Sequence, residues 1–487
     1  MSRTRWLGAY VPAKVKPLFR WILRWRRLTG PALFVWSFVL LIALGTAGLL
    51  LIEDLQAGPP LGVVDALFTI TSAVCVTGLA VVDLSTHFTT TGQAWILLFV
   101  QLGGIGLISL TTLLIGAMGQ RLSLRSEMLA VAPTRRHDRP EVWELTLAVT
   151  RFSLVVEAIG AVLLWAVWSF RMPVDEAAWH AVFHSVSAYC NAGMSTFSTS
   201  LIGLQDSSFT LWIISFLVIA GGIGYLTFEE LTRWFRASRA RRDGLRIRLA
   251  GAPQRLSSHT WAVVVTSAVL LLAGWILFAL FEWSDTLSQL GVVDKLSNAW
   301  FMSVTPRSAG FNTVDYTHVG NDTAALTMML MLIGGSPGST AGGLKTTTIA
   351  VLVALGLSRF RGRRYVAIQD RAIPQGTVER AVGIVLLALF VLAISFFTIN
   401  AIEAVGMDST EARGHFLPIM FESVSAFATA GLSMNYTAEL ELPSKLLVAL
   451  TMFIGRVGLF SFFTAVMLRR AQPPAFQRPA QEDVIVG

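Results

Sequence analysis

The stretch Phe68-Thr-Ile-Thr-Ser-Ala-Val-Cys-Val-Thr-Gly78 recurs three times in degenerate form. The other copies are Phe183-His-Ser-Val-Ser-Ala-Tyr-Cys-Asn-Ala-Gly193, Trp300-Phe-Met-Ser-Val-Thr-Pro-Arg-Ser-Ala-Gly310 and Phe421-Glu-Ser-Val-Ser-Ala-Phe-Ala-Thr-Ala-Gly431. In each, an aromatic residue stands ten positions before the glycine, with a Ser/Thr-rich turn between them. Successive glycines lie 115, 117 and 121 residues apart. A second glycine cluster follows each at offsets of 25, 28, 24 and 24 residues: Gly103-Gly-Ile-Gly106, Gly221-Gly-Ile-Gly224, Gly334-Gly335 and Gly455-Arg-Val-Gly458. One such loop is most simply a packing glycine or a re-entrant turn. Four at near-constant spacing mark an internal repeat.

The flanks say what kind of repeat. The 487 residues are 54% hydrophobic and 14% charged, against about 25% charged in soluble domains. Mean hydropathy is +0.63. A water-soluble globule and a disordered chain are excluded, and two cysteines cannot staple a chain this long. Runs near the 20 apolar residues a bilayer needs fall at Pro31–Ile52, Ala94–Met118, Leu145–Phe170, Phe209–Phe228, Trp261–Phe281, Ala324–Leu357, Ala381–Ala401 and Leu446–Leu468. The expected fold is an all-α polytopic membrane protein. It has eight transmembrane helices and four re-entrant half-helices, in four pseudo-symmetric span–pore-loop–span repeats around one pore. The half-helices are expected at Asp65–Val74, Ala178–Tyr189, Lys295–Thr305 and Gly414–Phe427. The repeats occupy 31–118, 142–234, 259–357 and 378–470. Between them lie loops at 119–141, 235–258 and 358–377, with a basic N-terminus at 1–30 and a tail at 471–487.

Thirty of the 38 Lys and Arg fall at 1–30, 119–141, 232–258, 358–380 and 469–487. By the positive-inside rule that face is cytoplasmic, with both termini inside. The net charge of +8 is thus mainly a topology signal. The Arg-rich run at Thr232–Ser258 reads as a surface for anionic lipid or a cytoplasmic partner, and not for nucleic acid. The opposite loops hold acids, Glu53, Asp83, Asp206 and Glu282 among them. They form either a cation-concentrating face or ordinary solvated surface.

Irregular backbone at membrane depth is tolerated only inside protein or around a watery cavity. Four such loops around an axis meet that demand together, and their carbonyls can replace the hydration shell of a monovalent cation. Half-helices pointing their C-terminal ends at the centre favour a cation there. The third repeat carries an interruption, Gly334–Lys345, in which six of twelve residues are Gly or Pro. Such a segment is unfit for a helix and lies where a gate would be placed. Arg456 interrupts the fourth glycine cluster, and a charge at that depth is usually functional. It reads as a guard beneath the loops, or as a snorkelling cation on backbone carbonyls.

Thr305-Pro-Arg-Ser-Ala-Gly-Phe-Asn-Thr313 and Gly334-Gly-Ser-Pro-Gly-Ser-Thr-Ala-Gly-Gly-Leu-Lys345 resemble signatures of the Trk/Ktr/HKT superfamily of potassium transporters, and Val76-Thr-Gly-Leu79 and Gly455-Arg-Val-Gly458 agree. The likeness spans roughly Pro31 to Leu468. With room for one span before the first loop, it is most similar to the Ktr membrane subunit. The resemblance implies a potassium filter at Cys75, Val76, Thr77, Gly78; Cys190, Asn191, Ala192, Gly193; Arg307, Ser308, Ala309, Gly310; and Ala428, Thr429, Ala430, Gly431. Glycine at all four filter positions goes with potassium, whereas plant relatives with serine in the first repeat favour sodium. A sodium-selective or sodium–potassium cotransporting member is therefore the alternative. The gate implied is Gly334, Gly335, Ser336, Gly338, Ser339, Thr340, Gly342, Gly343 and Lys345, with Arg456. The family also implies a homodimer and a cytoplasmic nucleotide-binding ring of the RCK type as regulator. This chain itself has no nucleotide motif, no cofactor and no convergent catalytic site of the kind a membrane-embedded enzyme needs; its cargo is the ion.

Three further residues carry expectations. Cys75 and Cys190 read as buried free thiols more readily than as a disulfide. Glu157 reads as part of a buried pair with Arg151, or as a proton relay, and His184 as a hydrogen-bonded core residue. Replacing Gly310 by Ser is expected to lower the preference for potassium over sodium several-fold in an ion-competition flux assay; unchanged selectivity counts against the filter assignment.

Overall fold

The computed structural model describes residues 30–117, 142–242 and 255–458. The N-terminal arm, the 119–141 loop, part of the 235–258 loop, the end of the eighth expected span and the tail lie outside the described residues. Fourteen helices of three turns or more follow one another among those described. They are α1 Gly30–Leu51, α2 Val63–Val74, α3 Thr90–Ala117, α4 Val142–Trp168, α5 Val174–Cys190, α6 Ser208–Ile223, α7 Tyr225–Arg242, α8 Ser258–Glu282, α9 Val292–Val304, α10 Asn321–Leu332, α11 Thr346–Phe360, α12 Gln375–Glu403, α13 Ser409–Ala428 and α14 Leu442–Val457.

The half-helices α2, α5, α9 and α13 end close to where the repeat motif places them. All four begin earlier than expected, α5 and α13 by the most, for local reasons. Pro173 precedes α5, whose first turn holds Asp175 and Glu176, and acids there suit the helix dipole. Asp408 caps α13 in a reciprocal box with Glu411, and those backbone N–H groups hold the Asp408 carboxyl below its usual range.

Each half-helix packs on the long helix before it, and α2, α5 and α13 also pack on the helix after. Each also receives the second helix of the preceding unit: α3 packs on α5, α6 on α9, α10 on α13, and α14 returns to α2. The chain thereby closes on itself. Lys445 at the start of α14 reinforces the return with an ion pair to Asp65 of α2 at 3.0 Å.

Three helices, Thr146–Trp168, Ser258–Glu282 and Gln375–Glu403, are individually long and apolar enough to cross a membrane. The expected continuous span Phe209–Phe228 is instead α6 and α7, bent by 101°. The break falls at Gly224, whose φ is +87°. Gly458 ends α14 at φ +85°, at the corresponding place in the fourth glycine cluster. The Ala324–Leu357 run divides, as its Gly/Pro content demands, into α10 and α11. One departure from an all-α reading is a two-stranded hairpin, Ala367–Ile368 against Arg371–Ala372, in the 358–377 loop.

The second glycine clusters have a packing role in three units. A Cβ on Gly103, Gly221 or Gly455 would overlap the carbonyl oxygen of Val74, Tyr189 or Phe427 respectively. Each of those carbonyls belongs to the residue four before a motif glycine. A helix carrying glycine there presses its backbone directly on the end of the half-helix, as small residues allow between membrane helices. The third unit departs from this: Gly334 packs against the carbonyl of Gly342 instead. We expect Gly221→Ala to destabilise the protein by about 1–3 kcal/mol through overpacking. Gly222→Ala meets only the Asn191 amide nitrogen at 3.8 Å and is expected to unfold like the parent. Thermal unfolding in detergent checks the pair.

Candidate functional site: a ring of glycines above a buried loop

The four motif glycines meet. A Cβ on Gly78 would clash with the carbonyl oxygen of Ala192, one on Gly193 with that of Ala309, one on Gly310 with that of Ala430, and one on Gly431 with that of Thr77. Even the loosest of these approaches is 2.9 Å. Each glycine therefore abuts the residue just before the next unit's glycine, and the fourth closes on the first. All four have positive φ, between +66° and +99°, a region glycine enters freely.

Two positions before each glycine, Val76, Asn191, Ser308 and Thr429 also have positive φ, from +47° to +76°. They are four of the seven such non-glycine residues among those described. The intervening amides are tied backwards to the half-helix ends: Thr77 N to Ser72 O at 2.8 Å, Ala192 N to Ser187 O at 2.7 Å, Ala309 N to Thr305 O at 2.9 Å and Ala430 N to Ser425 O at 2.8 Å. With the amides held behind, the carbonyls of Thr77, Ala192, Ala309 and Ala430 are left toward the neighbouring loops.

Side chains fix the chain beyond the glycines. Ser187 donates to Met194 O at 2.8 Å and Thr305 to Phe311 O at 2.5 Å. Buried Glu422 accepts from Ser433, from Thr437 Oγ1 at 2.7 Å and from the Met434 amide at 3.2 Å. His184 Nε2 is 2.9 Å from Ser195 Oγ, and its Nδ1 is 2.8 Å from the carbonyl of His180. Glu422 and His184 both stand nine residues before their glycine, and each grips a serine two residues after it. The sequence offered that coincidence, and for Glu422 it went unread.

Cys190 and Arg307, also expected in the filter, point their side chains away from the glycines. Cys75 and Cys190 are buried free thiols, as expected. The Cys190 sulfur faces Gln101 Oε1 at 3.4 Å, behind the ring. Arg307 reaches Ser267 Oγ at 3.1 Å and the carbonyl of Gly334 at 3.5 Å, away from the glycines. Glu157 does not pair with Arg151, which is exposed; its carboxylate takes both oxygens' bonds from Gln101 Nε2, at 3.1 and 2.9 Å. Glu282 is buried rather than part of an acidic face, accepting from Thr286 and the Gly320 amide. Asp206 does lie at the surface. Hydrogen bonds from Arg171, the nearer at 2.8 Å, hold its carboxyl below the usual range.

The Gly334–Lys345 segment lies against the ring, with Ser336, Ser339 and Thr340 all buried. Its backbone bonds to α6, Ser336 N to Gly222 O at 3.0 Å and Thr340 N to Gly221 O at 3.2 Å. Gly338 and Gly343 supply positive φ at its turns. Arg456 is buried beside it and donates to the carbonyl of Thr340 and, at 3.0 Å, to that of Gly103. Lys345 folds its ammonium back onto Ala341 O at 2.6 Å.

The sequence profile of the TrkH family, described as cation transport proteins, matches residues 31–477. The chain belongs to this family. It is therefore a multi-pass membrane protein, in keeping with exposed apolar residues such as Leu280 on α8 and Phe397 on α12. It is 33% identical to the Ktr system potassium uptake protein B of Vibrio alginolyticus, covering 88% of this chain and 89% of that one. Likeness to the Bacillus subtilis protein of the same name is 32%, covering 91% and 94%. With the potassium/sodium uptake protein NtpJ of Enterococcus hirae identity is 31%, covering 95% and 98%. The crystal structure of the potassium transporter TrkH from Vibrio parahaemolyticus shares the fold, with a TM-score of 0.66 at 20% identity, covering 91% of this chain and 85% of that one.

Removing the Glu422 carboxylate as Ala strips Ser433, Thr437 and the Met434 amide of their common acceptor. Unsatisfied buried donors cost about 1–3 kcal/mol each, so Glu422→Ala is expected to lower the unfolding temperature well beyond an exposed control such as Glu439→Ala. Gln at 422 is expected to recover part of the loss.

Proposed function

We propose that the chain takes up potassium across the cytoplasmic membrane, as the ion-conducting subunit of a Ktr/Trk-type system with one pore per chain. The observation that carries this reading is the closed ring in which each motif glycine abuts the next unit's carbonyl. Carbonyls presented around one axis, with no side chain at the glycine, suit a dehydrated alkali cation. The filter proper is Val76–Gly78, Asn191–Gly193, Ser308–Gly310 and Thr429–Gly431. Its four segments differ in sequence, so its sites are only pseudo-symmetric.

Four span–loop–span units, eight crossings in all, support this pore, with both termini cytoplasmic. Inward flux follows the membrane potential, worth about 2.3 kcal/mol per charge per 100 mV. The Gly334–Lys345 segment is the gate beneath the filter. Arg456 pins it through the Thr340 carbonyl and sets a positive charge in the ion's path. A homodimer and a nucleotide-binding ring docked on the Arg-rich cytoplasmic loops complete the system. The sodium-coupled alternative draws on the likeness to the Enterococcus potassium/sodium uptake protein; glycine at position 78 weighs against it.

Expression in a cell lacking potassium uptake tests the function: growth at low potassium supports it, and growth rescued only by sodium transport reverses it. Deleting Ser336–Gly343 is expected to raise basal potassium flux into proteoliposomes, and a silent pore refutes the gate.

A further inference from the structure

We infer that the side chains of Asn191 and Ser308 latch the intramembrane loop onto the ring of glycines, so that the loop's position sets the ring's geometry and hence its ion preference. This rests on the filter and gate just proposed and adds how one governs the other.

The residues two before each glycine carry strained backbone. A non-glycine side chain at positive φ costs of order 1–3 kcal/mol and persists only where its surroundings hold it. For Asn191 and Ser308 the holder is the loop. Asn191 Nδ2 donates to Thr340 Oγ1 at 2.7 Å, and the same hydroxyl donates to Tyr189 O at 3.1 Å. One threonine thus ties the loop both to the end of α5 and to the strained residue after it. Ser308 Oγ donates to Thr429 O at 2.8 Å and accepts the Gly342 amide at 3.0 Å. It joins the third filter segment, the fourth and the loop through a single atom. Glycine is required at 342, because a Cβ there would overlap the Thr429 hydroxyl.

All of these groups are buried. When the loop leaves, Asn191 loses its acceptor, the Gly342 amide loses Ser308, and two strained residues lose what held them. A gate that only blocked the pore could be cut away without touching selectivity. Here the ring left by a displaced loop is a different ring, with looser carbonyls and weaker discrimination.

The test is potassium and sodium flux through purified full-length protein in liposomes. Thr340→Val removes the latch from the loop side and leaves the ring's backbone untouched. It is expected to raise basal flux and to lower potassium-over-sodium discrimination about fivefold, the worth of one ordinary hydrogen bond. Thr340→Ser keeps the hydroxyl and is expected to stay within about twofold of the parent. Adding Asn191→Ala to Thr340→Val is expected to change discrimination little further, since both remove one bond. Ser308→Ala cuts the second contact alone and is expected to shift the ratio in the same direction, which keeps the question open to decision if Thr340→Val does not fold. A merely destabilised protein yields less flux at an unchanged ion ratio. Raised flux with unchanged discrimination in Thr340→Val and Ser308→Ala overturns the latch and leaves the gate standing. A silent pore after deletion of Ser336–Gly343 removes the gate itself. Independent, additive effects of Thr340→Val and Asn191→Ala on discrimination also overturn the latch.

Discussion

Backbone that is not helical, held at membrane depth, must satisfy its amides within the protein while leaving carbonyls free. Everything else in this structure follows from that demand. The chain answers it by turning each half-helix end back on itself. The amide before every motif glycine bonds to a carbonyl four or five residues earlier, and positive φ on either side of it permits the turn. The carbonyls so released are the ones the neighbouring glycines approach. The second glycine clusters belong to the same solution. In three units they let the following helix press on the half-helix end, so that the turn is backed by protein and not by lipid.

Most of this was legible in the sequence as a pattern, and much less of it as contacts. The motif glycines, the half-helices and the interrupted segment in the third unit could be placed because glycine spacing and apolar length are local quantities. The break at Gly224 was not foreseen. Hydropathy averaged over Phe209–Phe228 hides a single residue with left-handed backbone, and the charged α7 after it was read as loop. The second glycine clusters were aligned correctly but given no purpose, since their partners lie some thirty residues away. Asn191 was named for its carbonyl, and its amide proved to be the informative group. Glu157 was paired with Arg151 on sequence proximity, whereas its partner, Gln101, is 56 residues distant. Buried polar groups choose partners by three-dimensional packing, which no spacing rule reports.

The interior cations follow a common rule. Among the described residues, Arg307, Lys345 and Arg456 all use carbonyl oxygens of the Gly334–Lys345 segment: Gly334, Ala341 and Thr340 respectively. None has a carboxylate within ion-pair distance. A charge bonded to neutral dipoles keeps its field, whereas an ion pair largely cancels it. If the segment is the gate proposed above, these three positive charges would make it an electrostatic barrier as well as a steric one. Removing the barrier means moving the loop, because the oxygens that stabilise two of these cations beneath the ring, Thr340 and Ala341, flank one another in it. On that proposal one displacement would lift occlusion and electrostatic repulsion together, and the hydrogen bond from Asn191 to the Thr340 hydroxyl would put the proposed filter's strained residue on the same lever.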